Sequence, residues 1–292
     1  MTALTTSNGA RPGSGAARKR LTAHRARIIT GVVLCILFLL PIVWMLLNSF
    51  KEQRDIMTVP PVFFFEPTLD NYLQNLERAD IGPRMLNTTI IAVGGAVISV
   101  LLGGMAGYAL ARIPLRGAAT IGALILASRG VPPIALAVPM FMVARNLGVL
   151  DMHITVILAY CSFLIPYVMW LMRGFFLALP KELEESAMID GCSRFGAFWR
   201  IIVPISLPGF AATAIFSVIL AWEELLFALV LTSRDATTIA VAIVGMASDT
   251  QTGADWGALS AIGMLSVLPV IVLALVVQKW LIQGLADGAT KG

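Results

Sequence analysis

Six long apolar stretches dominate the alternation of hydrophobic and polar positions along the chain: 28–50, 86–111, 119–144, 154–177, 209–232 and 258–282. Each reaches the roughly 20 residues that a helix needs to cross the hydrocarbon core of a bilayer. Their length excludes the ten-residue alternation of a barrel strand. A bilayer interior also offers backbone N–H and C=O groups no water, so the stretches are expected to be helices. The predicted fold class is therefore all-α, an integral membrane protein with six transmembrane helices. Composition agrees, because 58% of residues are hydrophobic and only 13% charged, far below the roughly one-quarter charged residues of soluble domains.

Residues 1–27 are rich in Gly, Ser, Ala, Thr and Arg, with too few large apolar side chains to bury, so a disordered basic tail is expected. Arg18, Lys19, Arg20, Arg25 and Arg27 ahead of an apolar run also fit a signal peptide, but the run from Ile28 is too long for a signal core. An uncleaved first helix is favoured. With six spans both termini share one side, and that side collects fourteen Lys and Arg residues against six on the other, which makes it cytoplasmic. The net charge of +4 is thus explained by topology rather than by a nucleic-acid site. The expected organisation is a cytoplasmic tail (1–27), a first helix with a partly ordered external cap (28–85), a core permease domain (86–284) and a cytoplasmic C-terminal tail (285–292).

The cytoplasmic connection 179–208 carries the most information. Pro180 suits a first helical position, and Glu182, Glu184 and Glu185 complement the dipole of a short helix that Gly191 ends. Ser193 is a candidate cap for a second helix limited by Pro204. Leu183, Ala187 and Met188 share one face, with Glu182, Glu184, Glu185 and Asp190 expected on the polar remainder. On periodicity alone this helix-turn-helix fits an interfacial connector equally well.

The residues themselves add a resemblance. Glu185, Ser186 and Ala187, then Gly191, then Ile201 and Pro204 resemble the EAA loop of binding-protein-dependent ABC importer permeases, with Ser186 in place of the usual second Ala. Asn48 to Lys51, Asn71 with Tyr72, Ala106 to Arg112, Trp222 with Glu224, and the ending from Lys279 to Gly292 are similar to the carbohydrate branch, in particular the G-type subunit of maltose importers. Glu223 replaces a usual Asn. The resemblance implies a type I importer permease fold in a prokaryotic plasma membrane. It also implies a second, F-type permease, two ATPase subunits that hold ATP and Mg, and an external solute-binding protein that delivers a carbohydrate. Glu184, Glu185, Ser186, Ala187, Asp190, Gly191, Ile201 and Pro204 would then form the coupling loop that docks on an ATPase.

No Gly-x-x-x-x-Gly-Lys-Ser/Thr stretch occurs in the chain, so no P-loop is expected and ATP hydrolysis is assigned to partners. His24 and His153 lie in the tail and in an external turn, and no catalytic, cofactor or metal residue is assigned. Cys35, Cys161 and Cys192 have neither the number nor the spacing of a disulfide framework.

Arg129, Glu223 and Glu224 fall within apolar stretches, where an ionisable group costs about 2.5–3.5 kcal/mol on insertion scales. They are expected either to pair, Arg129 with Glu223 or Glu224, or to line a translocation path or gate together with Trp222, Pro132 and Pro133. The two prolines should kink or locally unwind the third stretch. Gly103 and Gly107 offer a close-packing face on the second. An ion-coupled secondary transporter is the competing function, but it predicts inverted repeats, and none is evident.

Overall fold

The computed structural model describes residues 14–78, 80–248 and 255–289, with side chains described outside 14–23, 75–78 and 279–289. Residues 1–13 and 290–292, the outer parts of the two expected tails, lie outside the described residues. The helices are α1 (Ser14–Ser49), α2 (Gln53–Ile56), α3 (Asp70–Arg78), α4 (Ile81–Arg112), α5 (Ala118–Ala127), α6 (Pro133–Leu147), α7 (His153–Ala178), α8 (Glu182–Ile189), α9 (Arg194–Ala197), α10 (Val203–Ile205), α11 (Leu207–Trp222), α12 (Leu226–Leu231), α13 (Ile239–Ala247) and α14 (Trp256–Ala289). Among the described residues all regular structure is helical, as the apolar pattern required.

Four helices are long and apolar enough to cross a membrane, and two bent pairs raise the number to six if each is one span. Two stretches depart from expectation and a third follows it. α1 begins at Ser14, inside the segment expected to be disordered; Ala16, Ala17, Arg18, Lys19 and Arg20 are good helix formers that extend the apolar helix backward. The third stretch is unwound at its prolines, as expected. α5 runs into a 3₁₀ turn at Ser128–Gly130, Pro132 is extended, and α6 leaves at 87° to α5. Pro133 starts α6 where its missing N–H removes no helical bond. The fifth stretch is split as well. α11 stops at Trp222, and both carboxylate oxygens of Glu224 accept from the N–H of Phe227, at 3.1 and 3.2 Å, which opens α12 as a new helix.

α4 and α7 lie side by side in the same direction, and small residues set their separation. A Cβ on Gly107 would sit 2.7 Å from the Met169 carbonyl oxygen and 3.0 Å from the Arg173 nitrogen, and one on Gly103 would sit 2.8 Å from Val168 Cβ. The expected close-packing face therefore exists, with backbone against backbone. Ile91, Ala92, Val156, Tyr160 and Leu164 fill the seam further along.

The segment after α1 folds back on the end of that helix and joins two stretches that the sequence linked only by resemblance. Asn71 Nδ2 donates to the Ser49 and Lys51 carbonyls at 3.0 and 2.8 Å, and the Tyr72 hydroxyl lies 2.7 Å from Ser49 Oγ. Lys51 is 1% exposed, its ammonium held 4.8 Å from the Trp44 ring and 5.0 Å from that of Phe65. By contrast, the most apolar part of α1 is wholly exposed, including Leu37 and Phe38. Such a surface is stable only against lipid or another apolar surface.

At the end of the helices where α4 and α7 begin, Asp151 ties the α6–α7 turn to the segment after α12. Its carboxylate accepts from the N–H groups of Ser233, Arg234, Asp235 and Ala236 and from the Ser233 hydroxyl, all at 2.9–3.1 Å. Asp151 adopts φ +62°, and its own N–H donates to the Leu231 carbonyl at 2.9 Å. Partial burial pushes this carboxyl up, but the Asp235, Ser233 and Ala236 N–H bonds outweigh it and hold the group well below the usual carboxylate range. Nearby, Asn87 Nδ2 donates to the Asp235 and Thr237 carbonyls, Asn87 Oδ1 is 2.8 Å from His153 Nε2, and Thr88 Oγ1 accepts from the Ile239 N–H.

Two outcomes follow for stability of the detergent-solubilised protein. Gly107→Ala should lower it by roughly 1–3 kcal/mol, because the clash is with backbone that cannot step aside. Gly174→Ala, which meets nothing within 4 Å, should be close to neutral, and thermal melts of the two variants compare them directly. Asp151→Asn should cost about 1–2 kcal/mol at neutral pH, the worth of bonds to a charged acceptor reduced by solvent screening. A depressed pKa contributes stability that is present above the ordinary aspartate value of about 3.9 and lost as pH falls through the folded value. The gap between wild type and Asp151→Asn should therefore narrow as melts are repeated from neutral pH down to pH values below that.

Candidate functional site: the cytoplasmic loop

α8 starts two residues after Pro180, with three acids in its first turn against the positive end of the dipole. It ends on a glycine turn. Gly191 adopts φ +87°, its N–H donates to the Met188 carbonyl at 3.1 Å, and the Cys192 N–H reaches the Ala187 carbonyl at 3.0 Å. Ser193 caps α9 as expected, with its Oγ accepting from the Gly196 N–H at 3.1 Å. The second helix reaches Ile205, one residue past Pro204, as the expected limit requires: α9 continues as a π-helical segment over Phe198–Ile202 and then α10, with Pro204 in the last turn. The chain turns 77° only at the junction with α11.

The two faces of α8 differ from the sequence pattern in one residue. Glu184 is buried with Ala187, while Glu182, Glu185, Ser186, Ile189 and Asp190 are exposed. The cause is a pair of residues on α4. Arg112 Nε lies 3.0 Å from Glu184 Oε1, a charge contact whose N–H is not aimed at the oxygen, and the Tyr108 hydroxyl donates to Glu184 Oε2 at 3.1 Å. Arg112 Nη2 also donates to the Leu179 carbonyl at 2.7 Å, just past the end of α7. The side chains of Arg112 and Glu184 are 3% and 10% exposed. Removing one member of such a buried pair costs about 3–5 kcal/mol, because the other charge is left stranded. Glu184 therefore belongs to the inner face, and the acidic surface of α8 is carried by Glu182, Glu185 and Asp190.

Aromatic rings complete the inner face. The Tyr108 ring packs 4.5 Å from that of Phe198 and 5.7 Å from that of Phe176, and Ile202 is fully buried beside them. Outward, Ile189 is 85% exposed and Phe195 66%, with Trp199 also exposed. The loop thus has a fastened inner side and an exposed outer side that mixes acids with large apolar groups.

The residues expected at a path or gate do not form one cluster. The Arg129 guanidinium sits 5.1 Å from the Tyr167 ring centroid, and among the described residues its charge meets neither Glu223 nor Glu224, so the expected ion pair is absent. Glu224 is engaged instead in opening α12, and its carbonyl accepts from the Tyr160 hydroxyl at 3.1 Å. Trp222 is buried, its Nε1 donating to the Ser266 carbonyl at 3.1 Å, and it joins α11 to α14 rather than lining an opening. Arg129 and Glu223 are exposed, and Pro132 and Pro133 form the break beside Arg129. Sequence reading missed the roles of Tyr108, Arg112 and Asp151. The one signal available was a basic residue in the last turn of a span, where it opposes the helix dipole.

Comparison with known proteins fits this geometry. Residues 99–287 match the family described as binding-protein-dependent transport system inner membrane component. A probable ABC transporter permease protein of Sinorhizobium fredii is 37% identical over 89% of this chain and 92% of its own length. The sulfoquinovosyl glycerol transport system permease protein of Agrobacterium fabrum is 33% identical, over 91% and 93%. Among solved structures, a bacterial ABC transporter involved in import of the acidic polysaccharide alginate superposes with a TM-score of 0.72 at 23% identity, covering 90% of this chain and 97% of that one.

Proposed function

This chain belongs to the binding-protein-dependent transport system inner membrane components and is a multi-pass permease subunit of an ABC importer; from that premise we propose that it carries a carbohydrate inward along a path shared with a second, F-type permease. The two-sided loop is the observation that supports this reading most. Its outer side, with Glu185, Ser186, Asp190, Ile189, Phe195 and Trp199 exposed, is built to enter a cleft on an ATPase subunit, while its inner side is fastened to α4. ATP and Mg then belong to two ATPase subunits, and an external binding protein delivers the solute. The excess of Lys and Arg on the loop side supports a cytoplasmic position for both termini. The name of the Agrobacterium relative, which specifies a sugar derivative, supports carbohydrate as the cargo class. Arg129, Pro132, Pro133 and Glu223 are the residues we assign to the path, because irregular backbone and unpaired charge at membrane depth are stable beside water.

Glu185→Lys and Gly191→Val test the docking role in the complex assembled with its partners. Glu185→Lys should insert normally but hold the ATPase roughly tenfold or more weakly, the worth of one charge-assisted bond. Gly191→Val pays about 1–2 kcal/mol or more to enter the left-handed region and should misplace α9 relative to α8. Co-purification of the ATPase and solute-stimulated hydrolysis are the measurements; wild-type values in both variants would return the loop to a plain interfacial connector. Competition of uptake by unlabelled mono- and oligosaccharides in proteoliposomes checks the cargo class.

A further inference from the structure

We propose that the Tyr108–Arg112–Glu184 cluster is a joint through which movement of α8 is handed to α4. The inference rests on the docking role proposed above for the loop. α8 meets its covalent neighbours through an extended residue and a glycine turn, and it packs on the segment 194–202 that follows it. Before it, Leu179 is extended with ψ 144°; after it comes the glycine turn at φ +87°. Across space it is linked to α4. Glu184 is engaged through both carboxylate oxygens by two side chains one helical turn apart on α4, at 3.0 and 3.1 Å, in a site almost closed to solvent. The charge contact resists pulling as well as pushing, which apolar packing alone does not.

α4 is suited to carry what it receives. Its 32 residues make a rod of roughly 48 Å at 1.5 Å per residue, clamped against α7 at Gly103 and Gly107. The opposite end bears Asn87 and Thr88, which bond the Asp235 and Thr237 carbonyls and the Ile239 N–H. A shift of α8 at the inner surface therefore reaches the external segment between α12 and α13 through one helix. Tyr108 and Arg112 are positioning residues in this scheme, since they act through Glu184 and touch no solute.

The test uses Tyr108→Phe and Arg112→Lys in the importer assembled with its permease partner, ATPases and binding protein. Tyr108→Phe deletes one bond to Glu184 and keeps the ring that packs on Phe176 and Phe198; Arg112→Lys keeps the charge but cannot reach Glu184 and the Leu179 carbonyl together. Both should retain the ATPase at wild-type stoichiometry. Solute transported per ATP hydrolysed, and the ratio of stimulated to unstimulated hydrolysis, should fall by about tenfold in Arg112→Lys and less in Tyr108→Phe, the range of a typical coupling between sites. A spin-label pair on α8 and the inner end of α4 should also keep one separation with and without ATP in the wild type and lose it in Arg112→Lys. Loss of the ATPase from either complex would overturn the proposal, since the cluster would then only hold the docking surface in shape. Wild-type coupling in Arg112→Lys would overturn it too. If Glu185→Lys retains the ATPase while Arg112→Lys uncouples, Glu185 is not a docking contact and the joint stands.

Discussion

The contact on which the rest of this structure depends is the direct approach of α4 to α7 at Gly103 and Gly107. No side chain separates the two backbones there, so the relative height of the helices is set within a few tenths of an ångström by hard contact with the Met169 carbonyl and the Arg173 nitrogen. Everything functional hangs from the ends of that pair. At the inner end, Arg112 bridges α4 to the Leu179 carbonyl after α7 and to Glu184 on α8; at the outer end, Asn87 on α4 meets His153 on α7 and carries the external segment 235–237. A slip of one helix along the other would break both sets at once.

The inner end places an acid where the sequence pattern does not allow one. A carboxylate facing inward on a short surface helix is costly alone, and it is held here because a guanidinium and a phenol from a helix seventy-odd positions earlier meet it. That arrangement leaves Glu185, the next residue, pointing outward with Ile189 and Asp190. Two adjacent glutamates thus have opposite surroundings, one fastened to α4 and the other exposed.

Membrane depth imposes a second economy. The chain breaks its regular helices at 128–132 and at 223–225, and each break is stabilised locally: the first by proline positions that need no N–H, the second by the Glu224 carboxylate taking the Phe227 N–H. Arg129 and Glu223 stand exposed at these same breaks. Broken helices and exposed charge coincide because both require a wet or protein-lined boundary rather than lipid.

The sequence by itself determined an all-helical membrane protein, because apolar runs of more than twenty residues have one stable form in a bilayer. It also determined the glycine turn at Gly191, the cap at Ser193 and the close-packing face at Gly103 and Gly107, since each is a local property of a few neighbouring residues. The helix-turn-helix order of the segment between α7 and α11 was legible from Pro180, Gly191 and Ser193. Only the tertiary structure decided which acids of α8 face inward, whether Arg129 finds an acid, and that Trp222 is an internal brace. Those outcomes depend on partners distant in the chain: Arg112 for Glu184, Tyr167 for Arg129, Ser266 for Trp222. Helical periodicity assigns a residue to a face, but it does not say what that face will meet, and for a charged group at membrane depth the energy lies in what it meets.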